Sequence, residues 1–152
     1  MTVKYAHTNL IAKDWKRLAD FYREVFSCTP VPPERDLSGE WLDKAVGLEN
    51  AQINGIHLRL PGYGDSGPTL EIFQYSSMPG HPVVKANTPG FSHIAFAVDN
   101  VEDTAKKIFE NGGSPLGELT VHEVPGIGTL TLQYTTDPEG NIVEIQNWNN
   151  VH

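Results

Sequence analysis

The sequence predicts an α+β fold of two repeated halves, each ordered β-α-β-β-β, giving eight strands in mixed sheet with the helices on the outer face. Three observations carry this prediction. The strings Tyr5-Ala6-His7-Thr8 and Phe91-Ser92-His93-Ile94 open two stretches with the same order of signals. An amphipathic helix pattern follows each opening. Each stretch then closes on a strand whose glutamate sits between aliphatic residues: Glu71 in Leu70-Glu71-Ile72-Phe73, and Glu144 in Val143-Glu144-Ile145-Gln146.

Element by element, residues 4–12 and 91–98 read as strands, and 14–26 and 100–111 as helices. In the first helix Trp15, Leu18, Ala19, Tyr22, Val25 and Phe26 follow helical spacing behind Asp14, a good N-cap. In the second, Val101, Ala105, Ile108 and Phe109 do so behind Asp99 or Asn100, and Gly112-Gly113 ends it. Strands over 52–61 and 69–75 flank a Gly-rich turn, and strands over 128–135 and 141–148 flank Asp137-Pro138-Glu139-Gly140. The second strand of each half is weakly marked. The first half runs over about 4–78, a proline-bearing connector over about 79–89, and the second half over about 90–148, all within one domain of 152 residues.

The halves are unequal. From His7 to Glu71 is 64 positions, and from His93 to Glu144 is 51. The surplus falls in Pro30–Glu49, which holds three prolines and a helix-like stretch over 41–46. Such an insertion reads either as a loop covering a site or as a surface elaboration.

Composition excludes several classes. A formal net charge of −8 opposes nucleic-acid binding, which needs a basic stripe. Cys28 is the only cysteine, so an intrachain disulfide and a thiolate zinc site are excluded; burial suits it better than reactivity. No apolar run approaches bilayer-spanning length, and the chain passes from Met1 into a strand pattern, so the expected compartment is the cytosol, with no membrane partner.

Strand alternation gathers the chemistry. Leu70 and Ile72 point one way and Glu71, Phe73 and Tyr75 the other; Val143 and Ile145 oppose Glu144, Gln146 and Trp148. His93 shares a face with Ala95 and Ala97, opposite Ile94, Phe96 and Val98, whereas alternation around His7 is less clean. If two such sheets curl around one cavity, His7, Glu71, His93 and Glu144 converge there. Two imidazoles and two carboxylates are a reasonable ligand set for a catalytic divalent ion. Carboxylates among apolar neighbours need a cation, and neither has a Lys or Arg beside it in sequence. The bland alternative is that the glutamates pair with basic groups elsewhere or face solvent, and that the histidines are ordinary hydrogen-bonded residues. On the strand over 56–60, His57 and Arg59 alternate against Ile56, Leu58 and Leu60. Arg59 could hold a carboxylate or phosphate by a forked contact with His57 assisting, or could simply face solvent. Gln133, with Thr131, is the matching substrate-binding candidate in the second half. His81 reads as connector, His122 as loop and His152 as tail; Tyr75 and Trp148 either line a pocket or close their sheets.

The motif Gly90-Phe91-Ser92-His93-Ile94-Ala95-Phe96-Ala97-Val98-Asp99-Asn100, with Asn111-Gly112-Gly113 and Asp137-Pro138-Glu139-Gly140-Asn141, resembles the vicinal oxygen chelate superfamily. That superfamily includes glyoxalase I, methylmalonyl-CoA epimerase, extradiol dioxygenases, and fosfomycin and bleomycin resistance proteins. The resemblance covers Tyr5 to Trp148. It implies paired βαβββ modules in a cupped sheet around one divalent metal, with His7, Glu71, His93 and Glu144 in the ligand positions, as in glyoxalase I. Nickel, cobalt, zinc, manganese and iron all accept such ligands.

Four ligands on an octahedral ion leave two positions for adjacent substrate oxygens. The resemblance therefore implies a lyase or isomerase of the lactoylglutathione lyase type, acting on a small molecule by shifting a proton through an enediolate. By the same resemblance Glu144 is the expected catalytic base, with Glu71 its counterpart, and the protein is expected to be a homodimer. No arginine follows His7 on the first strand, a departure that counts against a glutathione substrate. The alternatives are an extradiol-type Fe(II) dioxygenase, disfavoured by the fourth ligand, and a metal-free drug-sequestering protein.

Overall fold

A computed structural model describes residues 2–150, which divide after His81 into two compact units. Unit 1 contains β1 (His7–Ile11), α1 (Trp15–Phe26), β2 (Thr29–Ser38), α2 (Glu40–Val46), β3 (Gln52–Arg59) and β4 (Thr69–Tyr75). Its four strands lie in the order β1-β4-β3-β2, with β1 parallel to β4 and the other pairs antiparallel. Unit 2 contains β5 (His93–Ala97), α3 (Val101–Glu110), β6 (Ser114–Pro115), β7 (Thr120–Val124), β8 (Gly128–Thr136) and β9 (Ile142–Asn150). The order there is β5-β9-β8-β6, with β7 also paired to β8 and β5 parallel to β9. The two mixed sheets and three helices are the expected α+β architecture. Nine strands form among the described residues rather than eight, because the segment after α3 supplies two short ones. His122 accordingly sits on β7 and not in a loop, while His152 lies outside the described residues.

Each helix forms where its capping and apolar spacing demand it. Asp14 accepts from the Arg17 amide at 3.2 Å, and Ser27 takes the left-handed conformation (φ 58°) that ends α1. Leu18, Tyr22, Val25 and Phe26 are buried on the face α1 turns to β3 and β4. There they meet a layer formed by Ile56, Leu58, Leu70 and Ile72. Each such side chain contributes about 1.5–3 kcal/mol on burial. In unit 2 Asn100 caps α3 through the Asp103 amide at 2.9 Å, and Val101, Ala105 and Ile108 pack toward β8 and β9. Val143 and Ile145 are fully buried on that side.

The Pro30–Glu49 segment is built into unit 1. Its first part is the edge strand β2, where prolines are tolerated because an edge leaves N–H positions unpaired. Its register breaks between Val31 and Arg35, and the Pro32–Pro33 bond is cis. Its second part, α2, buries Leu42 with Ala51, Ile53 and Phe73, and Leu37 and Tyr75 pack against this cluster. Tyr75 thus closes a small core.

One turn sets the geometry of unit 2. Between β8 and β9, Asp137 is buried and its carboxylate accepts from the Glu139 and Asn141 amides at 2.9 and 3.0 Å. Asn141 Nδ2 donates to its second oxygen at 2.9 Å, and Gly140 adopts φ 88°. The hairpin leaving this turn pairs Tyr134 with Glu144 and Gln133 with Ile145.

Candidate functional site

Each sheet has one face against its helix and one open face, and register decides which side chains share the open one. In unit 1, Asn9 and His57 both pair with Glu71, and His7 and Arg59 both pair with Thr69. Ile53 and Phe73 lie on the same face under α2. The open face is therefore apolar at the α2 end and polar at the other.

Glu71 is the centre of the polar end. Asn9 Nδ2 donates to its Oε1 at 2.8 Å, and His57 Nε2 lies 2.7 Å from its Oε2. His7 Nε2 approaches Oε1 at 3.7 Å, with the two imidazole rings 5.6 Å apart and nearly perpendicular. Thr69 Oγ1 lies 2.9 Å from His57 Nδ1. Burial pushes the His57 pKa down; Glu71 opposes this, and the charges of Arg35, His7 and Arg59 reinforce it. The ring is thus neutral near pH 7, with one N–H. With that proton on Nε2 the ring donates to Glu71, and Nδ1 is left to accept from the Thr69 hydroxyl.

Unit 2 holds the corresponding pair in a barer setting. Ala95 and Tyr134 both pair with Glu144, so Glu144 lies on the open face with His93 and Ala97. His93 Nε2 is 3.4 Å from Glu144 Oε2, and the His93 ring is 5.0 Å from that of Tyr134. Both glutamate side chains are 13% exposed. Trp148 pairs with Leu130 on this face, and its indole donates to Gln146 at 2.8 Å.

The expected substrate residues divide. His57 joins Glu71, and Arg59 lies on the same face, donating to the Gly67 carbonyl at 2.7 Å. Gln133 requires a correction: it pairs with Ile145, so it points to the helix side, opposite Glu144. It is buried, and its amide donates to the Gly117 carbonyl at 3.0 Å. Thr131, two residues away, shares that side; Tyr134 and Leu132 hold the open positions instead. Asn9, Thr69 and Tyr134 were not singled out from sequence. Asn9 had a signal, since it lies two residues from His7 on an alternating strand.

The donor pairs suit a divalent ion. Imidazole nitrogen and carboxylate oxygen each at about 2.1 Å from a metal stand roughly 3.0 Å apart at a right angle and at most about 4.2 Å apart. The His7–Glu71 and His93–Glu144 separations of 3.7 and 3.4 Å fall inside this range. Among the described residues, no group of three or more His, Cys, Asp or Glu is placed to hold an ion. In unit 1, His57 Nε2 lies at hydrogen-bond distance from Glu71 Oε2, 2.7 Å. Each unit therefore offers one imidazole–carboxylate pair.

Comparison with known proteins follows from this geometry. The family model for the Glyoxalase/Bleomycin resistance protein/Dioxygenase superfamily matches residues 4–145. A glyoxalase family protein from Bacillus cereus is similar in structure, with TM-score 0.82, 14% identity, and 97% of this chain and 95% of that one covered. A glyoxalase family protein from Enterococcus faecalis has TM-score 0.60 at 22% identity, covering 94% of this chain and 96% of the other. The fosfomycin resistance protein FosX from Listeria monocytogenes has TM-score 0.59 at 17% identity, covering 98% and 96%. No curated protein sequence matches the chain. Among the described residues, no helix is long and apolar enough to cross a membrane.

Proposed function

The chain belongs to the Glyoxalase/Bleomycin resistance protein/Dioxygenase superfamily, and from that premise we propose a metal-dependent lyase or isomerase of the glyoxalase type. It acts, as a homodimer, on a small molecule with adjacent oxygens. His7 with Glu71, and His93 with Glu144, are the imidazole–carboxylate pairs that donate to divalent metal. That ion, when bound, polarises a carbonyl and acidifies the neighbouring C–H.

The observation that carries the reading is the difference between the two glutamates. Glu71 is held by hydrogen bonds from His57 and Asn9 at 2.7 and 2.8 Å, so it is fixed as a ligand. Among the described residues, Glu144 has only His93 within ion-pair range, at 3.4 Å, which is longer than a strong hydrogen bond. A carboxylate free to turn can take a proton from one carbon and return it to the next. Glu144 is therefore the base. His93 orients it, and the small side chains Ala95 and Ala97 leave the adjoining face open to substrate.

Elemental analysis of the purified full chain, beside turnover of hemithioacetals and acyl thioesters, tests this. The expected result is a bound divalent ion whose stoichiometry drops in His93→Ala. Glu144→Gln should lower kcat at least about a hundredfold with KM little changed. Equal loss of binding and turnover would remove Glu144 from the role of base. Iron with oxygen uptake on catechols would replace this reading with a dioxygenase, and a chain that takes up no metal would replace it with a sequestering protein.

A further inference from the structure

Among the described residues, two half-buried arginines of unit 1, Arg35 and Arg59, have no acidic partner. The chain has 19 Asp and Glu against 11 Lys and Arg, so carboxylates are plentiful. Three exposed basic side chains pair with neighbours on their own helices: Arg23 with Asp20, Lys44 with Glu40 and Lys106 with Glu102. Arg59 donates instead to the Gly67 carbonyl, and Arg35 to the carbonyls of Pro33 and Val31. Both are half-buried, and all three bonds use Nη1. A guanidinium has five N–H donors, so Nε and Nη2 of each remain for a further acceptor.

Register puts both on the face that holds Glu71. Arg59 pairs with Thr69, two positions from His57, and Arg35 pairs with Gly55, which offers no side chain in the way. Glu71 is the one acidic residue that the in-register positions of the four strands place on this face. The face is thus cationic in a chain of net charge −8.

We propose that Arg59 and Arg35 form an oxyanion-binding subsite beside Glu71, so that the substrate carries a carboxylate or phosphoryl group in addition to its reacting oxygens. The carbonyl bonds hold each guanidinium in place without neutralising it, so little ordering cost remains when an anion arrives. The planar fork matches a carboxylate or phosphate in two-point contact. The assignment of this anion to the substrate rests on the proposed lyase or isomerase; the subsite itself does not need the metal.

The test is titration of the metal-free full chain with inorganic phosphate, followed by calorimetry and phosphorus NMR, with malonate as competitor. Saturable binding is expected, weakened at least about tenfold in Arg59→Gln and in Arg35→Gln. Arg59→Lys, which keeps the charge and loses the fork, should fall between. Metal affinity of Arg59→Gln should stay within about threefold of wild type, and urea midpoints report whether each variant folds. Competition by malonate shows that the subsite takes carboxylates, and its absence narrows the class to phosphoryl groups. Phosphate binding that requires the metal, or that survives in both glutamine variants, overturns the subsite. A chain that binds phosphate but no metal would sink the proposed function and leave the subsite standing.

Discussion

Replacing His57 by alanine isolates the contact that fixes Glu71. The substitution removes the 2.7 Å bond to Oε2 and leaves Asn9 on Oε1 at 2.8 Å. A hydrogen bond to a charged group contributes about 1.5–3 kcal/mol. Loss of a residue that orients a ligand from outside the coordination sphere costs about 10–100-fold in metal affinity, or roughly 1.4–2.7 kcal/mol. The two ranges agree. Because Asn9 still restrains one oxygen, the lower part applies, and we expect a loss of about 10–30-fold. Calorimetric titration of the metal-free chain with Zn²⁺ or Co²⁺ measures it directly. His57→Gln, whose amide nitrogen can stand where Nε2 stands, should recover most of the affinity. Thr69→Val should lose less than His57→Ala, since the ring keeps its contact with Glu71 but loses the partner that fixes its tautomer. Unchanged affinity in His57→Ala, or a glutamine variant as weak as the alanine one, would refute the reasoning. So would a wild-type chain that binds neither ion.

Two further predictions concern stability. Burial pushes the Cys28 thiol from 9.0 up to about 12. Between these values the unfolded chain has lost a proton that the folded chain keeps, so stability must fall as pH rises above about 9. From pH 8 to pH 10 wild type should lose about 1.4 kcal/mol more than Cys28→Ala in urea unfolding, and parallel losses would contradict this. Gly55→Ala would place a Cβ 2.1 Å from the Ile72 carbonyl oxygen and 2.7 Å from the Phe73 ring. Since the nearer obstacle is backbone, the cost should be about 3 kcal/mol or more, and a urea midpoint within error of wild type would show that β3 and β4 can part there.

The residues that announced themselves in sequence were those governed by local periodicity. The strand over 69–75 has the expected bounds, and the helix expected over 14–26 runs from Trp15 to Phe26 behind its cap Asp14, because alternation and 3.6-residue spacing are local properties. Both glutamates fell on the open face for the same reason. Gln133 did not, because its side depends on pairing with β9, and that depends on how the intervening turn counts residues. Position within a repeat could not reveal it. The Pro30–Glu49 segment hid an edge strand behind three prolines, which an edge accepts and an interior strand would not. Arg35 was lost with it, since its face follows a register break that no periodicity marks. The role of His57 as a partner of Glu71 rather than a contact for substrate needed the cross-strand pairing.

The turn at Asp137 has a meaning for how this protein can vary. Its buried carboxylate ties Glu139 and Asn141 into a loop of fixed count, and the strand that leaves it alternates from that count onward. One residue more or fewer, absorbed by the register of β9, would exchange Ile145 with Glu144. An aliphatic side chain would then look out where Glu144 does now, and a carboxylate would be driven against the helix. Substitutions elsewhere on the open face alter what the protein can hold; a change in the length of this loop alters which side of the strand does the holding. Side chains around Glu144 can therefore be replaced singly without moving it to the other face, whereas the residue count of the hairpin cannot change without doing so.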